Sequence, residues 1–161
     1  MDTPESAAVL PGTIASEFGR YLESFAARVT ALGAGLTQEQ FWSKPYPYGN
    51  SVGHLVLHIT GNLNYYIGAR IAGTGYVRDR EREFTDTTHR QSAEVLQAMN
   101  DAVTMVVRTL AAQTAEDWSR EYEATGVDDR TRFGIVLRCA QHFHHHLGQM
   151  IYLAKEHQRQ A

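Results

Sequence analysis

Apolar positions recur at steps of three or four residues along four long segments, which is the spacing of helices with one buried face. The segments run from about Thr13 to Leu32, from Ser51 to near Gly73, from about Gln91 to Ala112 and from about Thr131 to Glu156. The alternation that is typical of strands is scarce. The pattern therefore predicts an all-α four-helix bundle with a long crossover loop between helices two and three.

Turn-forming and capping residues mark the predicted ends of these helices. Pro11 and Gly12 precede helix one, and Ser51 can cap helix two. Two short segments between the helices, "TQEQFWS" and "TAEDWS", share a threonine, an acid two residues later and a tryptophan. In the first, Thr37 and Gln40 have the spacing of a capping box. The similarity suggests two related helical halves.

Composition and charge narrow the classes of partner and location. The 161 residues suffice for one sizeable core, so we expect a single domain over residues 1–161. A net charge of -3 argues against nucleic acid as the main partner. The single cysteine, Cys139, excludes an intramolecular disulfide and fits a reducing cytosol. Because no signal-peptide pattern and no stretch of ~20 apolar residues is found, we expect a cytoplasmic protein with no membrane partner.

A histidine cluster lies on the fourth predicted helix, in "QHFHHHLGQM". His142 and His146 are one turn apart on one face, so their rings can converge on one ion. His145 is three residues after His142 and can replace His146 as a ligand. His144 projects toward another face, where we expect solvent.

The second predicted helix offers a further ligand, because His54, His58 and Asn62 are spaced by four residues. His58 lies on or beside the inward face. Three neutral imidazoles with one open coordination position are typical of a catalytic zinc-type site. A metal ion there lowers the pKa of bound water or activates a thiol. The alternative is that these histidines are core polar groups of a purely structural bundle.

Two motifs resemble those of the DinB/YfiT-like family, which is regarded as a family of metal-dependent enzymes. "SVGHLVLH", from Ser51 to His58, is similar to the family's helix-two pattern. "HFHHHLGQ", from His142 to Gln149, is similar to its helix-four pattern, although Leu147 stands where the family often has arginine. The segments "HITGNL" and "RDREREF" resemble one uncharacterised branch.

The resemblance implies a metal triad of His58, His142 and His146, and so favours His146 over His145. It implies nickel or zinc as the ion, in a four-helix bundle with a long crossover. Family members of known activity resemble thiol-dependent transferases and isomerases that use a low-molecular-weight thiol. We therefore expect a small-molecule substrate, a thiol cosubstrate and, by resemblance only, a homodimer.

Several polar residues near these motifs have two interpretations each. Asn62 and Gln149 can orient a ligand imidazole, or they can simply bridge helices. Gly148 can let helix four approach a neighbour closely. Cys139 is better explained as a small buried hydrophobe than as a thiol ligand.

Candidates for a catalytic role are His54, His145 and Arg78. Either histidine can act as a base if it points inward, since the carboxylates cluster in loops. Arg78 lies in the charge-rich "RDREREF" segment, which is most simply a solvated, self-paired loop. Of its arginines, Arg78 is the one we expect to clamp a substrate carboxylate. Four tyrosines can line a pocket, although aromatic residues at these positions more often pack: Tyr46, Tyr48, Tyr65 and Tyr66.

Three classes of function follow from these features. In the first, a metal-activated thiol or water attacks a small electrophile, as in a thiol S-transferase. A metal-dependent hydrolase is the alternative within this class, and it needs no added thiol. The second class is a non-catalytic metal- or ligand-binding bundle. The third is the structural bundle, which predicts no metal.

Overall fold

The computed structural model describes residues 4–160, with side chains from residue 9 onward. Its α-helices are α1 (Pro4–Ala34), α2 (Gln38–Trp42), α3 (Val52–Leu63), α4 (Arg82–Thr85), α5 (Ser92–Ala111), α6 (Ala115–Ser119) and α7 (Arg132–Gln160). A π-helical segment, Asn64–Ala69, continues α3. The long helices α1, α3, α5 and α7 form the bundle, and the chain crosses over between α3 and α5. This confirms the predicted all-α fold and its crossover.

The four long helices enclose one hydrophobic core. Helix α1 packs against α5 and α7, and α3 packs against the same two helices. The inward positions predicted for the third long helix are all buried: Val95, Leu96, Met99, Val103, Val106 and Leu110. The helical period of the sequence therefore identified the core face of α5 correctly.

Both predicted caps are present, and a third helix start that was not predicted to be capped has the same kind of cap. The Ser51 hydroxyl accepts a hydrogen bond from the backbone N–H of His54 at the start of α3. Capping boxes begin α2 and α6, where Thr37 and Thr114 accept from the third helical residue and that residue's side chain accepts in return. Both short helices bury their tryptophan in the core. The similarity of the two segments in sequence is therefore matched by similar capping and packing.

Two predicted helix boundaries are wrong. Helix α1 begins at Pro4 and continues through Pro11, rather than starting near Thr13. Pro11 is buried, so packing of its ring outweighs the backbone hydrogen bond that proline cannot make. Helix two ends as an α-helix at Leu63, and the π-helical segment covers only part of the remaining distance to Gly73.

The crossover is held on the surface of α3 by a buried histidine. Its sequence lacks a sustained period, and it is irregular except for α4. His54 contacts the Ser51 hydroxyl through Nδ1 at 2.7 Å and the carbonyl oxygen of Asp86 through Nε2 at 3.0 Å. This contact fixes the end of the crossover beside α3 and so positions α4.

None of the helices within residues 4–160 combines the length with the apolar character that a bilayer crossing requires.

Candidate metal centre

Three imidazole rings converge where α3 packs against α7. Nε2 of His142 lies 3.0 Å from Nε2 of His58 and 3.0 Å from Nε2 of His146. The candidate ligand atoms of the three histidines all lie within 4.8 Å of one another. His58 is buried on α3, and the two α7 histidines are half-buried. Helical spacing by four residues stacks the α7 pair, and the packing of α3 against α7 supplies the third ring.

The far nitrogens of two of these rings are held by hydrogen bonds. Nδ1 of His58 is 2.7 Å from Oε2 of Glu83, in the crossover. Nδ1 of His146 is 2.7 Å from Oε1 of Gln149, one turn further along α7. Because both partners are acceptors, each places the ring proton on Nδ1 and leaves a lone pair on Nε2. This is the tautomer that a metal ligand requires.

The facing Nε2 atoms cannot all be satisfied by hydrogen bonds. Nε2 of His142 can carry at most one proton, so it can donate to either His58 or His146 but not to both. The other 3.0 Å contact then has no proton between its two nitrogens, so the Nε2 lone pair of His58 or His146 is left unsatisfied unless a cation takes it. Imidazole nitrogens are ligands of both zinc and nickel. The donor set therefore fits a divalent metal ion.

Glu83 is itself held in place by an arginine. Arg78 donates from Nε to Oε1 of Glu83 at 2.7 Å and from Nη2 to Oε2 at 2.9 Å, so the pair is bidentate. Both side chains are more than nine-tenths buried. A Cβ built on Gly61 would lie 2.0 Å from Oε1 of Glu83, so only glycine on α3 leaves room for the carboxylate. Arg78, Glu83 and His58 therefore form one connected chain of contacts.

The electrostatics of the cluster favour the protonation states that metal binding needs. Burial, together with the neighbouring His146 and His58 rings, lowers the pKa of His142 to about 3. Burial also lowers the pKa of His146, although its hydrogen bond to Gln149 opposes this. For Glu83, burial raises the pKa, but hydrogen bonds from His58 and Arg78 outweigh it and hold the pKa below the usual range. At neutral pH these two imidazoles are neutral and Glu83 is charged.

The three candidates for a catalytic role lie in different environments. Both ring nitrogens of His54 are engaged by Ser51 and Asp86, so His54 anchors the crossover and has no free nitrogen for a base. His145 is exposed, and its Nε2 is 3.2 Å from Nε2 of Gln149. Arg78 was expected to clamp a substrate carboxylate, but its guanidinium pairs with Glu83 of the same segment, as in the self-paired alternative.

The structure also distinguishes between the two interpretations given for each of the polar and small residues near the motifs. Gln149 contacts a ring of the cluster, whereas Asn62 is buried and no hydrogen bond joins its side chain to the three histidines in the described part of the chain. Gly148 is not at a close approach, because a Cβ built there meets no atom within 4 Å. Cys139 is 1% exposed, as expected of a small hydrophobe, and burial raises the pKa of its thiol to about 12.

Glu83 and Gly61 are the residues that the sequence interpretation missed. Glu83 lies in a run of alternating charges, which usually marks a solvated loop. The one sequence feature that could have indicated a buried role for Glu83 is the length of the crossover, which is sufficient for it to fold back over α3. Gly61 stands between His58 and Asn62 in "HITGNL", and nothing in that segment alone marks it as a packing position.

Comparison with known proteins identifies the family. A search of curated proteins and a search of solved structures each found no match. The family model described as the DinB superfamily matches residues 21–150, which include all three histidines and the crossover. The chain therefore belongs to the DinB superfamily.

Proposed function

We propose that this protein is a divalent-metal-dependent enzyme that holds nickel or zinc through His58, His142 and His146. A thiol or water, activated at the ion, attacks a small electrophilic substrate, as in a thiol S-transferase. The observation that carries the proposal is the convergence of three Nε2 atoms whose contacts cannot all be hydrogen bonds. Membership of the DinB superfamily supports the same type of enzyme.

The number of ligand side chains in the cluster supports a catalytic rather than a structural metal site. Structural zinc sites are closed by four protein ligands, whereas catalytic sites keep an open position. The described residues bring together three ligand side chains in this cluster. When bound, a divalent ion supplies Lewis acidity and lowers the pKa of a water or thiol at its open position.

The side chains around the cluster have separate tasks in this proposal. Glu83, fixed by Arg78, orients His58, and Gln149 orients His146. His145 lies on the exposed side of the cluster, with its ring centroid 5.0 Å from that of His146. In this proposal His145 would accept, through the ring nitrogen that does not contact Gln149, the proton released by the thiol or water.

The decisive experiment is elemental analysis of untagged protein that has been purified without metal-affinity resin or chelator. We expect about one equivalent of nickel or zinc per chain, and its loss in His58→Ala and in His146→Ala. The matched control is His144→Ala, because His144 is exposed on α7 and stacks on Phe25 with ring centroids 5.1 Å apart. Wild-type protein that stays metal-free after incubation with Ni²⁺ or Zn²⁺ would refute the proposal.

A second assay separates thiol transfer from hydrolysis. The metal-loaded protein is screened against small electrophiles with and without a low-molecular-weight thiol. Consumption of substrate that depends on added thiol supports the transferase, and consumption without thiol supports the hydrolase. A protein that binds one equivalent of metal but turns over no substrate in either screen would favour the non-catalytic binding bundle.

A further inference from the structure

A cavity lies beside the histidine cluster, on the side of Gln149. Its volume is about 460 Å³, which is within the range of small-molecule sites. The loop of residues 46–50 forms one wall, and α7 forms the other. Gln149 belongs to both sites, because it lines this cavity while its Oε1 contacts Nδ1 of His146. A molecule in the cavity therefore lies next to the candidate metal centre.

The walls of this cavity present aromatic faces to solvent. Tyr46 and Tyr48 stack with ring centroids 5.6 Å apart and an angle of 10° between their planes. Tyr48 is 73% exposed, and Tyr152 on the α7 wall is 72% exposed. Two large aromatic side chains left open on opposite walls offer stacking surface to a planar ring.

The floor of the cavity is open because Gly148 has no side chain. A Cβ built at this position meets no atom within 4 Å, so packing does not require glycine there. Glycine inside a helix is less favourable than alanine. The glycine thus weakens α7 without allowing a close helix contact, and its effect is to keep the cavity free.

The described lining of the cavity holds nothing with a negative charge that would repel an anion, and it offers side-chain amides as hydrogen-bond donors. Among the described residues that line it, none carries a carboxylate, and His145 lies at its polar end beside Gln149. The Lys155 ammonium group lies 5.9 Å from the centroid of the Tyr152 ring. The cavity on the crossover side of α3 is lined by charges of both signs, with Asp79, Glu83 and Asp86 beside Arg82 and Arg90.

We propose that this cavity is the substrate-recognition pocket, and that it binds a small aromatic carboxylate whose ring stacks on the tyrosines. Its carboxylate faces His145 and Gln149. The assignment of the bound molecule as substrate rests on the proposed enzyme function. Binding itself does not, because the cavity exists without a metal.

The test uses 2-naphthoate as a fluorescent aromatic carboxylate and the full chain freed of metal with a chelator. We expect saturable binding, at least tenfold weaker in Gly148→Leu, whose side chain fills the floor. The matched control is Gly12→Leu, since Gly12 is also a helical glycine with nothing within 4 Å of a built Cβ. Tyr152→Ala removes one wall without filling the cavity and should weaken binding at least threefold. Helical circular dichroism confirms that each variant is folded.

The outcomes separate this pocket from the metal proposal. Equal binding of cyclohexanecarboxylate and 2-naphthoate, or unchanged binding in folded Gly148→Leu, would overturn the aromatic pocket. One equivalent of metal without any naphthoate binding would also overturn it and leave the metal proposal standing. Naphthoate binding that is lost in Gly148→Leu, in a protein that takes up no metal, would support the pocket while refuting the metal enzyme.

Discussion

Replacing Gly61 with alanine tests whether Glu83 is docked against α3 as the structure shows. The added Cβ would lie 2.0 Å from Oε1 and 2.8 Å from Cδ of Glu83, far inside van der Waals contact. The carboxylate must therefore move by about 1 Å or more. Its hydrogen bonds with His58 and Arg78, now 2.7–2.9 Å, cannot all survive this displacement.

The expected change in stability is the sum of two opposing effects. Losing one hydrogen bond between charged groups costs about 1.5–3 kcal/mol, and more when the carboxylate stays buried. Alanine improves helix propensity over glycine by about 1 kcal/mol. We therefore expect Gly61→Ala to lower the free energy of unfolding by about 0.5–2 kcal/mol. Metal affinity should fall 10–100-fold, because Glu83 no longer orients His58.

The assay is a double-mutant cycle with Glu83→Ala, using urea unfolding of the metal-free protein. Once the carboxylate is gone, Gly61→Ala removes nothing and should stabilise the protein by about 1 kcal/mol. The two changes are thus coupled by about 1.5–3 kcal/mol, and the effect of Gly61→Ala changes sign. Gly148→Ala is the matched control, since its Cβ meets open space and it should stabilise the wild-type protein.

Metal titration completes the cycle. Gly61→Ala should weaken binding in the wild-type background and have no further effect in the Glu83→Ala background. If Gly61→Ala is as stable as Gly148→Ala and binds metal with wild-type affinity, then Glu83 does not occupy the space beside Gly61. The proposed orientation of His58 through Arg78 and Glu83 would then be refuted.

Three further predictions concern α7. Because burial lowers the folded-state pKa of His142 and His146 below the unfolded value, the unfolded state binds more protons at acid pH. The metal-free protein should therefore lose about 1–2 kcal/mol between pH 6.5 and 5 in urea unfolding, and His142→Gln should flatten this slope. Gln149→Ala should weaken metal binding about tenfold in a competition titration, whereas Gln141→Ala, at an exposed position of α7, should not. Cys139 should react with a thiol reagent only on unfolding, and fast labelling of the native protein would contradict its burial.

The ligand cluster could be predicted because it depends on helix geometry. The spacing of His142 and His146 places both rings on one face of α7, and the period of apolar positions in α3 turns His58 toward the same interior. Spacing alone did not choose between His145 and His146, and that choice came from the family resemblance. In the structure His145 lies outside the cluster, on the exposed side of the helix.

The glycines show why the surroundings of the cluster could not be predicted. Gly61 and Gly148 both lie inside helices, and nothing local distinguishes them in the sequence. A Cβ added to Gly61 would overlap the Glu83 carboxylate, whereas one added to Gly148 would meet open space. The difference is made by the crossover, which has no periodic pattern and is ordered only by tertiary contacts. Local propensity therefore carries no information about which glycine is essential for packing.

The two histidines of α3 explain how the crossover and the metal centre are linked. His54 and His58 are four residues apart, the same spacing as the ligand pair on α7, yet only His58 joins the cluster. Ser51 and the Asp86 carbonyl take both nitrogens of His54, so that ring holds the crossover instead. His58 both holds the crossover and belongs to the cluster, because its Nδ1 contacts Glu83 of the crossover and its Nε2 faces the other two rings. Thermodynamic coupling between two equilibria is reciprocal. If a bound metal stabilises the docking of the crossover on α3 by some free energy, docking of the crossover must strengthen metal binding by the same free energy.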